Sequence, residues 1–156
     1  MKVEYINPFI EGAYSLLKEL LNADVERGKL SLITTPISTK GVAALIGITG
    51  EVEGRVVYDM DQPTSLRIAS AMNGEELKEF DELAKSTISE LANMITGRAI
   101  SALNSKGFNF DITPPSLFTG DNMKISNLML ETLVIPLKTS CGEVVVNVAM
   151  RQRSRI

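Results

Sequence analysis

Ser86, Glu90 and Asn93 place a hydroxyl, a carboxylate and an amide at intervals of four and three residues. At about 3.6 residues per turn, that spacing keeps all three on one side of a helix. Gly97 falls on the same side and Asn104 continues it. A carboxylate pairs with a cation. An amide accepts through its carbonyl and donates through its NH₂. The chain has 156 residues and no histidine. A Ser-His-Asp triad, a Cys-His pair and a histidine metal site are therefore excluded. Catalysis here must use carboxylates, amides, hydroxyls or lysine, or borrow groups from a partner.

The element that positions these residues is a long helix, expected from about Glu76 to Asn104. On a wheel of about 100° per residue, Phe80, Ala84, Ile88, Leu91, Ile95, Ala99 and Ala102 share an arc that packs on the rest of the fold. Ser86, Glu90, Asn93 and Gly97 lie roughly opposite. A solvated polar face is the plain explanation for such an arc. Two residues argue against it. Gly97 sits mid-helix, where glycine costs about 1 kcal/mol relative to alanine. Asn93 occupies a place where lysine or glutamate favours helix more and solubilises as well.

Around this helix the chain alternates between helical and strand patterns. Phe9, Ile10, Ala13, Leu16, Leu17, Leu20 and Leu21 predict a helix over about 8–22, with Pro8 in its first turn. A strand is expected near 30–35. Residues 41–60 read as a hairpin turning at Thr49-Gly50. Asp61-Gln62-Pro63 starts a short helix that stops at Asn73-Gly74. Ile112-Thr113-Pro114-Pro115 is extended, and 120–122 is a loop. Leu133–Lys138 and Val144–Met150 form a last hairpin around Ser140-Cys141-Gly142. In it Val144, Val146, Val148 and Met150 face the core, alternating with Glu143, Val145, Asn147 and Ala149. Pro136 suggests an edge or a bulge. Without regular βαβ alternation, the fold class is α+β, a mainly antiparallel sheet with long helices packed on one face. One domain over residues 1–156 is expected.

Hydrophobic residues make up 44% and charged residues 22% of the chain, and the net charge is −3. Nucleic acid is not an expected partner of an acidic chain. Its one basic cluster, Arg151, Arg153 and Arg155, reads as a frayed tail. No apolar run is long enough to span a bilayer, and Met1–Tyr5 lacks the apolar run of a signal peptide. The single cysteine, Cys141, points to the cytoplasm.

The run Ser86-x-x-x-Glu90-x-x-Asn93, continuing through Met94-Ile95-Thr96-Gly97-Arg98-Ala99, resembles the signature of the CheC/CheX/FliY phosphatase family. That signature is an Asp or Ser, then Glu, then Asn at these spacings. Asn7-Pro8-Phe9-Ile10, Gly54-Arg55-Val56-Val57, Ala69 with Met72 and Gly74, Ile112-Thr113-Pro114-Pro115 with Gly120, and Ile135-Pro136-Leu137 extend the likeness over most of the chain. The first helix carries Asn7 and Glu11 but no second Glu-x-x-Asn pair, and a single signature is similar to the CheX branch.

The resemblance implies a CheC-like fold and hydrolysis of the aspartyl phosphate on a CheY-like response regulator. It implies that Asn93 aligns the attacking water and that Glu90 pairs with the regulator's active-site lysine. Ser86 and Gly97 are then partner-binding residues, Gly97 permitting close approach. No cofactor of the chain's own is expected, since Mg²⁺ belongs to the phosphorylated receiver domain. A homodimer is the family's common state. Two other readings stand beside it: a non-catalytic sink or adaptor that holds phosphorylated regulators on the same helix face, and a structural dimer subunit whose polar stripe has no partner. Other motifs are weaker. Ser15-x-x-Lys18 lacks a Lys-Thr-Gly partner. Asp59-Met60-Asp61 reads as a strand end followed by a helix cap. Cys141 is an incidental thiol in a turn.

Overall fold

A computed structural model describes residues 2–126 and 130–153. The first helix, α1, spans Val3–Leu21 and ends at Asn22 in the left-handed conformation. It begins five residues earlier than its apolar period predicts, so Pro8 is internal. The reason lies beyond the helix. Tyr5 is buried, with its ring edge-on to Phe108 at 5.1 Å and to Phe110 at 5.0 Å. That packing holds the extra turn although proline removes a backbone donor.

Two short strands follow, β1 (Glu26–Arg27) and β2 (Ser31–Ile33), then β3 (Ile37–Ser38). The hairpin of β4 (Val42–Gly50) and β5 (Val52–Met60) turns at Glu51, after Gly50 with φ 101°. Next come α2 (Gln62–Asn73) and α3 (Glu82–Ser105). Among the described residues four strands lie between α3 and the last hairpin turn: β6 (Phe110–Ile112), β7 (Ser116–Thr119), β8 (Lys124–Ile125) and β9 (Thr132–Thr139). The strand β10 (Gly142–Gln152) is the last described element.

The main sheet runs β1-β9-β10-β5-β4-β6, with β2 also on β9 and β7 also on β4, while β3 and β8 pair separately. Every pairing is antiparallel. The fold is α+β with the helices on one sheet face, as the mixture of periodicities predicts. Inward residues of that face include Ile46, Val56, Tyr58, Val146, Val148 and Ile135, packed against Phe9, Leu17, Ile68, Ile88, Leu91 and Ile95.

Three further expectations need correction. The long helix starts at Glu82, not Glu76. Asp81 is its cap and accepts from Ala84 N at 3.0 Å. The stretch before it connects α2 to α3, held where Leu77 N donates to Ser70 Oγ at 2.9 Å. Glu75, Glu76 and Glu79 therefore lie outside the helix, and Phe80 packs on the core from the connection.

Second, β10 is buried on both sides. Val145, Asn147 and Ala149 are buried along with Val144, Val146 and Val148. The segments around β3 and β8 lie over this second face: Lys40 N donates to Asp59 Oδ1 at 2.9 Å, and Arg55 donates to the Ser126 carbonyl.

Third, the basic cluster is not a frayed tail as far as the described chain runs. Arg151 lies in β10 and pairs with Glu53 at 2.6 Å, and Arg153 N donates to Glu51 O. Arg155 lies outside the described residues. Pro136 sits where the outermost pairing breaks. Its carbonyl accepts from Gly28 N at 2.8 Å, between the short strands β1 and β2, so its missing donor interrupts no long ladder.

Candidate active site

The site is a ridge on α3. Its inner side, Ala84, Ile88, Leu91, Ile95, Ala99 and Leu103, is buried. Ala102, expected with this stripe, is only half-buried. Three contacts set the roll of the helix. Tyr58 on β5 and Thr96 on α3 share a buried hydroxyl contact of 2.8 Å. Asn73 at the end of α2 donates to Thr87 Oγ1 at 2.9 Å. Gly12 of α1 faces the α3 backbone, where a Cβ would lie 3.5 Å from the Ile95 carbonyl. Small residues at such a crossing let two helices close on each other.

With the roll fixed, Ser86, Glu90 and Asn93 lie on one outer face, Glu90 and Asn93 exposed, with Gly97 half-exposed beside them. Glu90 and Asn93 are separated by less than one turn, or about 4.5 Å along the axis. Among the described residues neither side chain has a hydrogen-bond or ion-pair partner within the chain. Their polar atoms are therefore uncommitted, while the backbone beneath them is held from three sides. Ser86 is partly spent, its hydroxyl donating to the Leu83 carbonyl at 3.0 Å. A Cβ added at Gly97 would meet nothing within 4 Å, so no packing inside the chain requires a glycine there.

Asn104 has a different fate from the arc it continues. Its Nδ2 donates to the Phe110 carbonyl at 3.0 Å and its Oδ1 accepts from Phe110 N at 2.9 Å. Both ends of that amide fasten β6 to the end of the helix, a structural role.

The ridge is open to solvent, with Ser86, Glu90 and Asn93 all exposed. Among the described residues three surface concavities lie elsewhere, two beside α1 and one on the opposite sheet face near Phe118 and Met123, and these three are not lined by Glu90 or Asn93. A protruding amide and carboxylate can enter another molecule's cleft, and they enclose no small substrate themselves. Among the described residues no three His, Cys, Asp or Glu side chains are grouped to hold a metal.

The weaker motifs are accounted for locally. Ser15 Oγ bonds the Gly12 carbonyl at 3.5 Å and Lys18 pairs with Asp24. Asp61 caps α2 by accepting from Thr64 N at 2.8 Å, and its hydrogen bonds to Thr64 hold its carboxyl below the usual range. Asp59 is buried on the far sheet face, where burial pushes its carboxyl up to about 6. Cys141 lies in the β9–β10 turn, its carbonyl accepting from Arg67.

Residues 42–138 match the family described as chemotaxis phosphatase CheX. A curated protein, the CheY-P phosphatase CheX of Thermotoga maritima, is 34% identical over 128 residues, covering 81% of this chain and 83% of that one. The chain belongs to the CheX family. Solved structures agree with the assignment. A CheX–CheY–BeF₃–Mg²⁺ complex from Borrelia burgdorferi contains a chain 39% identical, at a TM-score of 0.83, covering 97% of this chain and 100% of that one. A CheC-like superfamily protein from Shewanella sp. PV-4 is 28% identical at a TM-score of 0.88, covering 97% of this chain and 99% of that one. Beyond the CheX branch, the FliY structure of Thermotoga maritima has the same fold at 18% identity and a TM-score of 0.68, covering 90% of this chain and 83% of that one.

Among the described residues no helix is long and apolar enough to cross a membrane.

Proposed function

We propose that this CheX-family chain dephosphorylates a phosphorylated CheY-like response regulator by inserting the α3 ridge into the regulator's active site. The observation that carries the proposal is the pair Glu90 and Asn93, exposed on one face and unpartnered within the chain among the described residues.

An aspartyl phosphate is an acyl phosphate. Hydrolysis forms a bond from a water oxygen to phosphorus and breaks the bond from phosphorus to the aspartate oxygen. Inorganic phosphate leaves and the carboxylate is restored. The protein contributes mostly positioning and charge stabilisation. Asn93 suits the positioning of water, because its carbonyl accepts from the attacking molecule while its NH₂ donates to a phosphoryl oxygen. No strong base is needed, which fits a chain without histidine.

Glu90 docks on the regulator's lysine and so orients the helix. Their attraction grows as water is excluded, but the cost of desolvating both charges offsets it, so the pair sets orientation more than affinity. Mg²⁺, held by the regulator, supplies charge neutralisation at the phosphoryl group; this chain provides the amide and the carboxylate. The relative from Borrelia burgdorferi supports this division, since its complex contains CheY, Mg²⁺ and BeF₃, a mimic of the phosphoryl group. Ser86 borders the contact, and Gly97 leaves room for the partner's backbone.

The proposal extends to one domain over residues 1–156 and to a homodimer in the cytoplasm, joined through a sheet edge. The short outer strands β1, β2, β6 and β7 leave edge groups for such pairing. Catalysis is separated from mere sequestration by turnover. With phosphorylated regulator in excess, an enzyme gives many phosphates per chain at an accelerated rate. A sink or adaptor binds stoichiometrically and leaves the rate of hydrolysis at the regulator's own value.

A further inference from the structure

Leu83 is 44% exposed. Among the described residues it joins Val3, Leu32 and Phe118 as the large apolar side chains this open to water, and of the four only Leu83 lies on α3. Its place in the helix is not random. Leu83, Ser86, Glu90, Asn93 and Gly97 advance by three, four, three and four residues, so Leu83 begins the same ridge. It stands about 10 Å along the axis from Glu90.

Among the described residues Leu83 is not part of the core cluster or of the side chains packed against it. The helix is started by the Asp81 cap, and the hydrogen bonds at Leu83 run through its backbone carbonyl, which accepts from Ser86 Oγ and Thr87 Oγ1. A polar side chain would serve the helix equally and would be better solvated. Docking, by contrast, needs an apolar group. An ion pair adds little net affinity once its desolvation is counted, and most binding energy comes from a few well-packed side chains that lose their water. The rest of the ridge is hydroxyl, carboxylate, amide and glycine, and Met94 beside it is half-buried against the core.

We infer that Leu83 is the apolar docking anchor for the phosphorylated receiver domain, setting how tightly the regulator is held and leaving the chemical step to Asn93. The inference rests on the reading of Glu90 and Asn93 given above. The occupant follows from continuity: a partner that receives both of those side chains spans well over 10 Å of surface, and so reaches Leu83 along the same ridge. A second copy of the chain is the competing occupant.

The test compares wild type with L83Q, which keeps helix propensity and removes the apolar branch. Three quantities are measured: the Kd for the BeF₃- and Mg²⁺-loaded regulator, the KM and kcat for phosphorylated regulator, and the sedimentation of the chain alone. The anchor predicts Kd and KM raised roughly tenfold, kcat within about twofold, and unchanged sedimentation and thermal melting. Kd and KM close to those of wild type overturn the anchor alone. Altered self-association with unchanged regulator binding assigns Leu83 to a contact between copies and overturns it too. A wild type that neither binds nor accelerates overturns the reading of Glu90 and Asn93, and the anchor with it.

Discussion

The Tyr58 hydroxyl lies 2.8 Å from Thr96 Oγ1, tying the sheet to the underside of the helix that carries Glu90 and Asn93. Thr96 spends its own proton on the Ala92 carbonyl at 2.8 Å, so Tyr58 is the donor. Both residues are buried, and burial raises the tyrosine far above its ordinary range, keeping it protonated. Removing this hydroxyl in Tyr58→Phe is expected to cost about 1 kcal/mol, read as a melting temperature lower by a few degrees. An unchanged melting curve would show that the bond does not help hold α3.

Gly97 separates folding from docking. Its Cβ position opens on empty space, so Gly97→Ala meets no clash within the chain. The substitution is expected to stabilise the fold by about 0.5–1 kcal/mol through helix propensity. The same methyl group obstructs a partner's close approach, so affinity for the phosphorylated regulator should fall severalfold. Denaturant unfolding and a binding titration on one sample check both signs. Stabilisation with unaltered binding would place Gly97 outside the contact.

Asn104 and Asn93 make a matched pair of controls. Asn104 bonds both backbone groups of Phe110, so Asn104→Ala should destabilise the protein by about 1–3 kcal/mol. Because those bonds fasten β6 and touch no substrate, kcat of the folded variant should stay close to that of wild type. A large loss of kcat in a variant that is still folded would contradict the division between the two amides.

Asp59 gives a pH dependence of defined sign. Burial is the main cause that raises its carboxyl to about 6, opposed by the Lys40 backbone N–H and ammonium, which itself pairs with Glu143 of β10 at 3.2 Å. In the unfolded chain an aspartate titrates near about 3.9. Between about pH 4 and pH 6 the folded state therefore holds the proton more tightly than the unfolded state. Stability falls as pH rises through that window and remains reduced above it. Asp59→Asn keeps an acceptor for Lys40 N and removes the charge. It should raise stability at about pH 8 by up to about 3 kcal/mol, with the gain vanishing below about pH 4. Equal effects at the two pH values would contradict a buried, neutralising carboxyl.

The ridge was legible in the sequence because a helix repeats, so both its buried stripe and its polar arc are visible in spacing alone. The helix start was not. Residues 76–80 favour helix and Phe80 extends the apolar stripe, but the Asp81 cap and the Ser70 contact decide otherwise. The short strands β1, β3 and β8 hold two residues each, too few for any period to register. The second buried face of β10 was hidden by composition: Asn147 looks like a solvent residue, yet it is 3% exposed, on the side that the β3 and β8 segments cover. Leu83 gave no signal, since one leucine in a helix reads as core until its exposure is known.

The mechanism depends on the Asn93 amide placing the attacking water, and Asn93→Ala removes that amide alone. Phosphate release from the phosphorylated regulator is followed with catalytic amounts of wild type or variant, alongside the Kd for the BeF₃-loaded form. Acceleration is expected to fall by on the order of 10²-fold, with the melting temperature unchanged or slightly raised and the Kd within severalfold. A variant that retains near wild-type acceleration would contradict the mechanism.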